Sequence, residues 1–73
     1  MGISYKKLWV LLIEKDISKA QMRRDLQIAT GTMSKLNKGE EVALSVLLRI
    51  CEYLECDIGD VCSVVNHQKE EKR

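Results

Sequence analysis

The chain has 73 residues, a formal net charge of +1, no proline and four glycines. At this length it can form one small domain with a modest core, which excludes a large active-site cleft and favours association into oligomers. The scarcity of strong helix breakers predicts an all-helical fold in which no strand is needed.

The number of cysteines and the hydropathy of the chain predict its cellular location. Three cysteines, an odd number without paired spacing, indicate a reducing, cytoplasmic setting rather than a disulfide framework. The longest apolar run, residues 8–13, is far shorter than a membrane span. We therefore expect a soluble cytoplasmic protein that does not associate with a membrane.

The charges are distributed unevenly along the chain. Residues 1–39 contain eight basic and three acidic residues, a net charge of +5, whereas residues 40–73 contain four basic and eight acidic residues, a net charge of −4. A basic half suits a surface that meets phosphates, and an acidic half suits solvent or a protein. The distribution therefore favours a nucleic-acid-binding protein, although the net charge alone does not.

In chain order, residues 1–4 are predicted to be a short lead-in and residues 5–15 the first helix. The apolar residues of this helix recur at helical spacing and include Trp9, which we expect to be partly buried in the core. The alternative for Trp9 is a subunit contact, because tryptophan is enriched at interfaces.

The stretch at residues 17–39 has the pattern of two short helices that meet at a turn. Ser18 is placed to cap the first helix, which runs to about residue 27, and Gly39 is placed to end the second. The second helix starts near Ala29 or Thr30, and its outward face is small, polar and basic, with no acid. That face consists of Thr30, Gly31, Ser34, Lys35 and Lys38.

Two further helices are predicted in the acidic half, at residues 43–54 and 58–65. Glu40 and Glu41 precede the first of them, where carboxylates meet the positive end of the helix dipole. Residues 66–73 contain no apolar residue and are predicted to form a frayed polar tail. The prediction is therefore five helices in a single domain, residues 1–65, followed by the tail.

The apolar and small residues between positions 8 and 61 follow the pattern of a known family. They resemble the Cro/repressor-type helix-turn-helix domains, also called the xenobiotic-response-element (XRE) family, and in particular its compact single-domain regulators. The matching positions are Leu8, Leu11, Ile17, Ser18, Met22, Leu26, Ile28, Thr32, Met33, Ser34, Leu36, Gly39, Leu44, Leu47, Leu48, Ile50, Cys51 and Leu54. The resemblance implies an all-α, five-helix, lambda-repressor-like DNA-binding domain with a central helix-turn-helix.

The resemblance also implies which residues meet DNA, with the second helix of the motif in the major groove. Base-facing positions are expected to be Thr30, Gly31, Ser34 and Lys35, and phosphate-facing positions Lys19, Arg23, Thr32 and Lys38.

Five positions depart from the family pattern, and Gly31 in the second helix of the motif is one of them. Lys19 stands where the family often has a phosphate-binding glutamine, and Arg23 where it commonly packs an alanine. Gln27 replaces a turn glycine, and Ala29 replaces the serine that usually caps the recognition helix. Thr30 is therefore the alternative cap.

No constellation of residues indicates catalysis or a cofactor. His67 is alone in a polar tail, where we expect it to face solvent. Cys51, Cys56 and Cys62 match positions where the family has core residues, so buried thiols are expected rather than metal ligands. We predict no enzyme activity, no metal site and no cofactor.

The function predicted is a sequence-specific transcriptional regulator, a repressor that binds a palindromic operator in double-stranded DNA as a homodimer. In the last predicted helix, Val61, Val64 and Val65 are the candidate residues for the dimer interface. The alternative is that these valines pack inward and close the core. The alternative function is an antitoxin-like or antirepressor-binding protein-interaction module. Such a module would bind a regulatory protein partner through its acidic half.

Overall fold

The structure is a computed structural model that describes residues 2–65. It contains four α-helices, one 3-10 turn and a two-stranded antiparallel sheet. The elements are β1 (Gly2–Ser4), α1 (Lys6–Glu14), α2 (Lys19–Leu26), α3 (Thr30–Lys38), α4 (Leu44–Leu54), the 3-10 turn (Ile58–Asp60) and β2 (Ser63–Val65). The mostly helical fold and the first four helices agree with the sequence, whereas the expected all-α fold with five helices is wrong.

The two ends of the described chain form the sheet that the sequence did not predict. β1 pairs with β2 so that Gly2 lies opposite Val65, Ile3 opposite Val64 and Ser4 opposite Ser63. The expected lead-in is therefore a strand, and the expected last helix at residues 58–65 is a short turn followed by a strand. The β-branched pair at positions 64 and 65 suits a pleated strand once a partner strand is available.

Residues 57–60 form a short capped turn in place of the start of the expected last helix. The backbone N–H of Asp57 donates to the Asp60 carboxylate at 3.0 Å, a capping arrangement at the start of the 3-10 turn. The turn ends at Val61, whose side chain is 0% exposed and belongs to the core. Val61 was expected at a dimer interface, and its burial makes that expectation wrong for this residue. Val64, by contrast, is 72% exposed.

Apolar side chains from every helix form one core. Its buried members are Tyr5, Leu8, Leu12, Met22, Ile28, Met33, Leu36, Leu47, Ile50, Cys51, Leu54 and Val61. Burying these side chains is the main source of stability for a chain of this size. The core therefore fixes the helix-turn-helix as part of one packed unit.

Polar contacts also attach α2 and the α3–α4 connection to the rest of the fold. The Tyr53 hydroxyl donates to Asp25 Oδ2 at 2.5 Å, and the Arg49 guanidinium donates to the Leu26 carbonyl, so both contacts join α4 to α2. The Tyr5 hydroxyl donates to the Glu40 carbonyl at 2.8 Å, just after α3.

The predicted tail at residues 66–73, with His67, lies outside the described residues, so the proposed end of the domain at residue 65 stays a prediction. No helix within residues 2–65 combines the length and the apolar character that crossing a membrane requires.

Candidate nucleic-acid interface

The first helix of the motif is held by the cap that the sequence predicted. Ser18 has extended backbone angles, and its hydroxyl accepts from the backbone N–H of Gln21 at 3.0 Å. The helix ends at Gln27, which adopts the left-handed conformation with φ 54°. Gln27 lacks the conformational freedom of glycine, so its backbone is strained at this turn. Ile28 follows and is buried, so the turn is anchored in the core.

The second helix begins at Thr30 with Ala29 at the N-cap position. Ala29 offers no side-chain oxygen, and no side chain caps this helix. The alternative that Thr30 supplies the cap is therefore wrong, because Thr30 is already the first helical residue. The helix ends at Gly39 with φ 75°, and the N–H of Glu40 returns to the Lys35 carbonyl at 2.8 Å.

One side of α3 packs inward, and the opposite side faces solvent. Met33 and Leu36 are buried. Because successive residues turn by about 100° around a helix axis, the residues on the far side share one face. That face, here called the basic face, consists of Thr30, Gly31, Ser34, Lys35 and Lys38, of which Ser34 is half-buried and the others exposed. The structure therefore brings the predicted outward residues together.

Two of the residues predicted to contact phosphate, Thr32 and Arg23, do not belong to this face. Thr32 is half-buried and lies on a flank of α3. Arg23 is exposed on α2, and its guanidinium reaches back to the Ile28 carbonyl at 3.5 Å. Arg23, which stands where the family pattern has an alanine, thus spans the turn between the two helices. This long hydrogen bond leaves further guanidinium N–H groups for another acceptor.

Lys19 is held by side chains from two other helices. Its ammonium lies 4.0 Å from the centre of the Trp9 ring on α1, and it donates to Asn37 Oδ1 on α3 at 3.0 Å. An ammonium over an indole face is attracted by the ring quadrupole. The group has three N–H donors, so these contacts leave it able to bind a further acceptor.

The sequence did not identify Asn37 as part of the site and assigned Trp9 to the core or to a subunit contact. Trp9 is half-buried and packs against the core, which agrees with the first assignment, yet its ring also supports a site lysine. Asn37 is exposed on α3 and is separated from Lys19 by eighteen positions along the chain. No local sequence signal links these residues, because the contact depends on how the helices cross.

The cysteines lie on α4 or follow it in the chain. Cys51 is buried, Cys56 and Cys62 are half-buried, and all three are free thiols. Burial raises the pKa of the Cys51 and Cys56 thiols above the ordinary value of 9.0, which disfavours the thiolate form that binds metals. Within residues 2–65, no three cysteine, histidine or acidic side chains converge in a way that could hold a metal ion.

Comparison with known proteins agrees with this geometry. Residues 7–67 match the family model of the Cro/C1-type HTH DNA-binding domain. The fold is similar to the crystal structure of the transcriptional regulator VanUg, form II, with a TM-score of 0.88 and 45% sequence identity over 90% of this chain and 88% of that one. No curated protein matches the chain.

Proposed function

Because the chain belongs to the Cro/C1-type helix-turn-helix DNA-binding family, we propose that it is a sequence-specific transcriptional repressor that binds a palindromic operator as a dimer. The observation that carries the proposal is the basic face of α3. Five small or basic residues lie on one side of a helix whose other side is buried in the core, and no acid is among them. This is the surface that a recognition helix presents to the major groove.

The base-reading residues in this proposal are those near the start and middle of α3. Lys35 can donate to O6 and N7 of guanine, and the Thr30 hydroxyl and methyl suit an adenine–thymine pair. Ser34 lies beside them and can donate or accept. Gly31 reads no base, but its open surface lets the helix approach the bases closely, since a Cβ at this position would meet nothing within 4 Å.

The phosphate contacts in this proposal frame the basic face. Lys38 lies on the last turn of α3, and Lys19 begins α2 with its ammonium already positioned. Arg23 and Thr32 are the remaining candidates. Such contacts fix the register of the protein on the duplex without reading its sequence.

The proposed dimer places two recognition helices in successive major grooves, roughly 34 Å apart. Val64 and Val65 remain the proposed interface, now as residues of β2 rather than of a helix. Val64 supports this role because it is large, apolar and mostly exposed, and because the strand that carries it lies in a sheet of only two strands. An exposed strand edge of this kind can pair with a second copy.

The operator proposal is tested by selecting duplexes from a random-sequence pool and sequencing those retained at several salt concentrations. We expect an enriched palindrome that survives moderate salt, because base contacts depend less on salt than phosphate contacts do. Retention without an enriched sequence, lost completely as salt is raised, would show non-specific binding and contradict the proposal.

The dimer proposal is tested by sedimentation of the free protein and of its complex with the selected duplex. We expect Val64→Lys to weaken dimer formation and operator binding together, whereas Val10→Lys, an exposed valine of α1, leaves both unchanged. A wild-type chain that binds the palindrome as two non-cooperative monomers would contradict the dimer proposal.

The second candidate function is a protein-interaction module on the same scaffold. The acidic second half of the chain favours it, because carboxylates repel DNA phosphates and suit a basic protein surface. Binding to a protein partner by a chain that selects no DNA sequence would favour this candidate over the repressor.

A further inference from the structure

Helix α4 leaves two large apolar side chains in solvent. Leu44 is 61% exposed and Leu48 is 54% exposed, although the same helix buries Leu47, Ile50 and Leu54. A four-residue spacing places Leu44 and Leu48 one above the other on the helix, about 6 Å apart along its axis. Together they form an apolar face that the described fold does not cover.

Acidic residues flank this apolar face along the chain. Glu52 and Glu55 continue the same stripe of α4 towards its C-terminal end, and Glu40 and Glu41 precede the helix, all of them exposed. A shallow depression beyond the stripe is lined by Cys51, Glu52, Glu55, Cys56, Asp57 and Asp60. The surface around the leucines is therefore strongly acidic.

Only one basic residue accompanies these acids in this part of the chain. Residues 40–65 contain six acids and one base, Arg49. Arg49 points to a different side of α4, where its guanidinium donates to the Leu26 carbonyl. The residues that flank Leu44 and Leu48 along this stripe and before the helix are therefore acidic, whereas Lys6, Lys7 and Lys15 lie near Glu55 at its far end.

This combination excludes several occupants. Nucleic acids and anionic membrane surfaces are repelled by the carboxylates. A second copy of the chain is disfavoured because a twofold contact brings a surface against itself, so the glutamates of one copy would face those of the other. The remaining occupant is a protein segment that is apolar in the middle and basic at the edges.

We propose that the acidic leucine surface, formed by Leu44, Leu48, Glu40, Glu41 and Glu52, binds a basic amphipathic helix of a partner protein. The partner would place apolar side chains against the two leucines and lysine or arginine side chains against the glutamates. Helix-on-helix docking of this kind uses apolar anchors one turn apart, with flanking charges that fix orientation. None of the five residues belongs to α2 or α3, so the proposal does not rest on operator binding.

The probe for this surface is a fluorescein-labelled designed peptide of about 18 residues, long enough to form a helix when bound. It carries leucine pairs at four-residue spacing between lysines. A matched peptide replaces every lysine with glutamate. We expect the full chain to bind the lysine peptide, to bind it more weakly as salt is raised, and to bind the glutamate peptide at least about tenfold more weakly.

Three variants assign the binding to the surface. We expect Leu44→Asn/Leu48→Asn to lower the affinity for the lysine peptide about tenfold or more, because the apolar anchors are lost. Glu41→Gln/Glu52→Gln should lower affinity and flatten its salt dependence. The matched control, Val10→Asn/Ile13→Asn, removes two exposed apolar residues from α1 and should bind the peptide like the wild type.

Circular dichroism and thermal unfolding establish that each variant is folded without reference to DNA, which separates this proposal from the fate of the repressor proposal. Peptide affinity unchanged by Leu44→Asn/Leu48→Asn, or equally lost in the control variant, would overturn the proposal. So would equal binding of the glutamate peptide. Self-association of the wild type that disappears in Leu44→Asn/Leu48→Asn would assign the surface to a second copy instead.

Discussion

Lys19 on α2 donates to Asn37 on α3 across a distance of 3.0 Å, which joins the first residue of one helix of the motif to the last turn of the other. The Trp9 ring supports the same ammonium from α1 at 4.0 Å. A lysine side chain loses considerable rotamer freedom when it binds a phosphate. These two contacts therefore restrict the Lys19 side chain in the free protein.

We expect Asn37→Ala to weaken operator binding about threefold to tenfold, because Lys19 must then be ordered during binding. The number of charges is unchanged, so the dependence of affinity on salt should stay as in the wild type. Lys19→Gln should instead reduce the salt slope by about one. In the Lys19→Gln background, Asn37→Ala should have no further effect, and an additive loss would show that the two residues act independently.

Trp9 should report DNA binding directly. It is the only tryptophan of the chain, and the Lys19 ammonium lies over its ring. A phosphate that attracts this ammonium changes the electrostatic environment of the indole, so we expect the fluorescence emission of the wild type to change on titration with operator duplex. The change should be largely lost in Lys19→Gln. Unaltered emission at saturation, measured independently by anisotropy of labelled DNA, would argue against a phosphate at Lys19.

Lys35 and Lys38 should have different roles although they share the basic face. We expect Lys35→Ala to relax base preference at one operator position, at a cost of about 1–3 kcal/mol in discrimination. Lys38→Ala should weaken binding to all sequences alike and lower the salt slope by about one. Competition with operator variants at two salt concentrations separates the effects. Indistinguishable variants would contradict this division of roles.

The left-handed residue at the turn of the motif should be a site of strain. We expect Gln27→Gly to raise the free energy of unfolding by about 0.5–1 kcal/mol, because glycine avoids the steric cost at φ 54° but loses more chain entropy on folding. The control is Gln21→Gly inside α2, which should lower stability by about 1 kcal/mol. Urea unfolding of both variants tests the sign, and a destabilised Gln27→Gly would contradict the prediction.

The contact between Tyr53 and Asp25 should make stability depend on alkaline pH. The hydrogen bond to Asp25 raises the pKa of the Tyr53 hydroxyl above its ordinary value of 10.0, so the native state keeps this proton at pH values where the unfolded chain releases it. The contribution is fully present below pH 10 and is lost as the pH rises through the native pKa.

We therefore expect Tyr53→Phe to be less stable than the wild type by about 1 kcal/mol near neutral pH, a value reduced by the solvent exposure of the pair. The difference should shrink above pH 10 in urea unfolding experiments. A constant difference across that range would show that the hydroxyl contributes through packing alone. Comparison with the wild type at each pH cancels the titration of other groups.

The helix-turn-helix could be predicted from the sequence because its signals are local. Ser18 caps the first helix, Gly39 ends the second, and the apolar spacing between them selects one face of each helix. Each of these effects acts within about four residues, the reach of a helical hydrogen bond. The basic face followed from the same spacing, since residues on one side of a helix stay together wherever the helix packs.

Only the tertiary structure decided the contacts between distant parts of the chain. The strand at Gly2–Ser4 forms because the fold brings Ser63–Val65 beside it. Each segment is only three residues long, which is too short for its sequence alone to predict a strand. The same closure buries Val61 and exposes Val64, and the crossing of three helices brings Lys19 to Trp9 and Asn37. Local chemistry thus determined which segments become helices, whereas burial of a shared core determined which side chains meet.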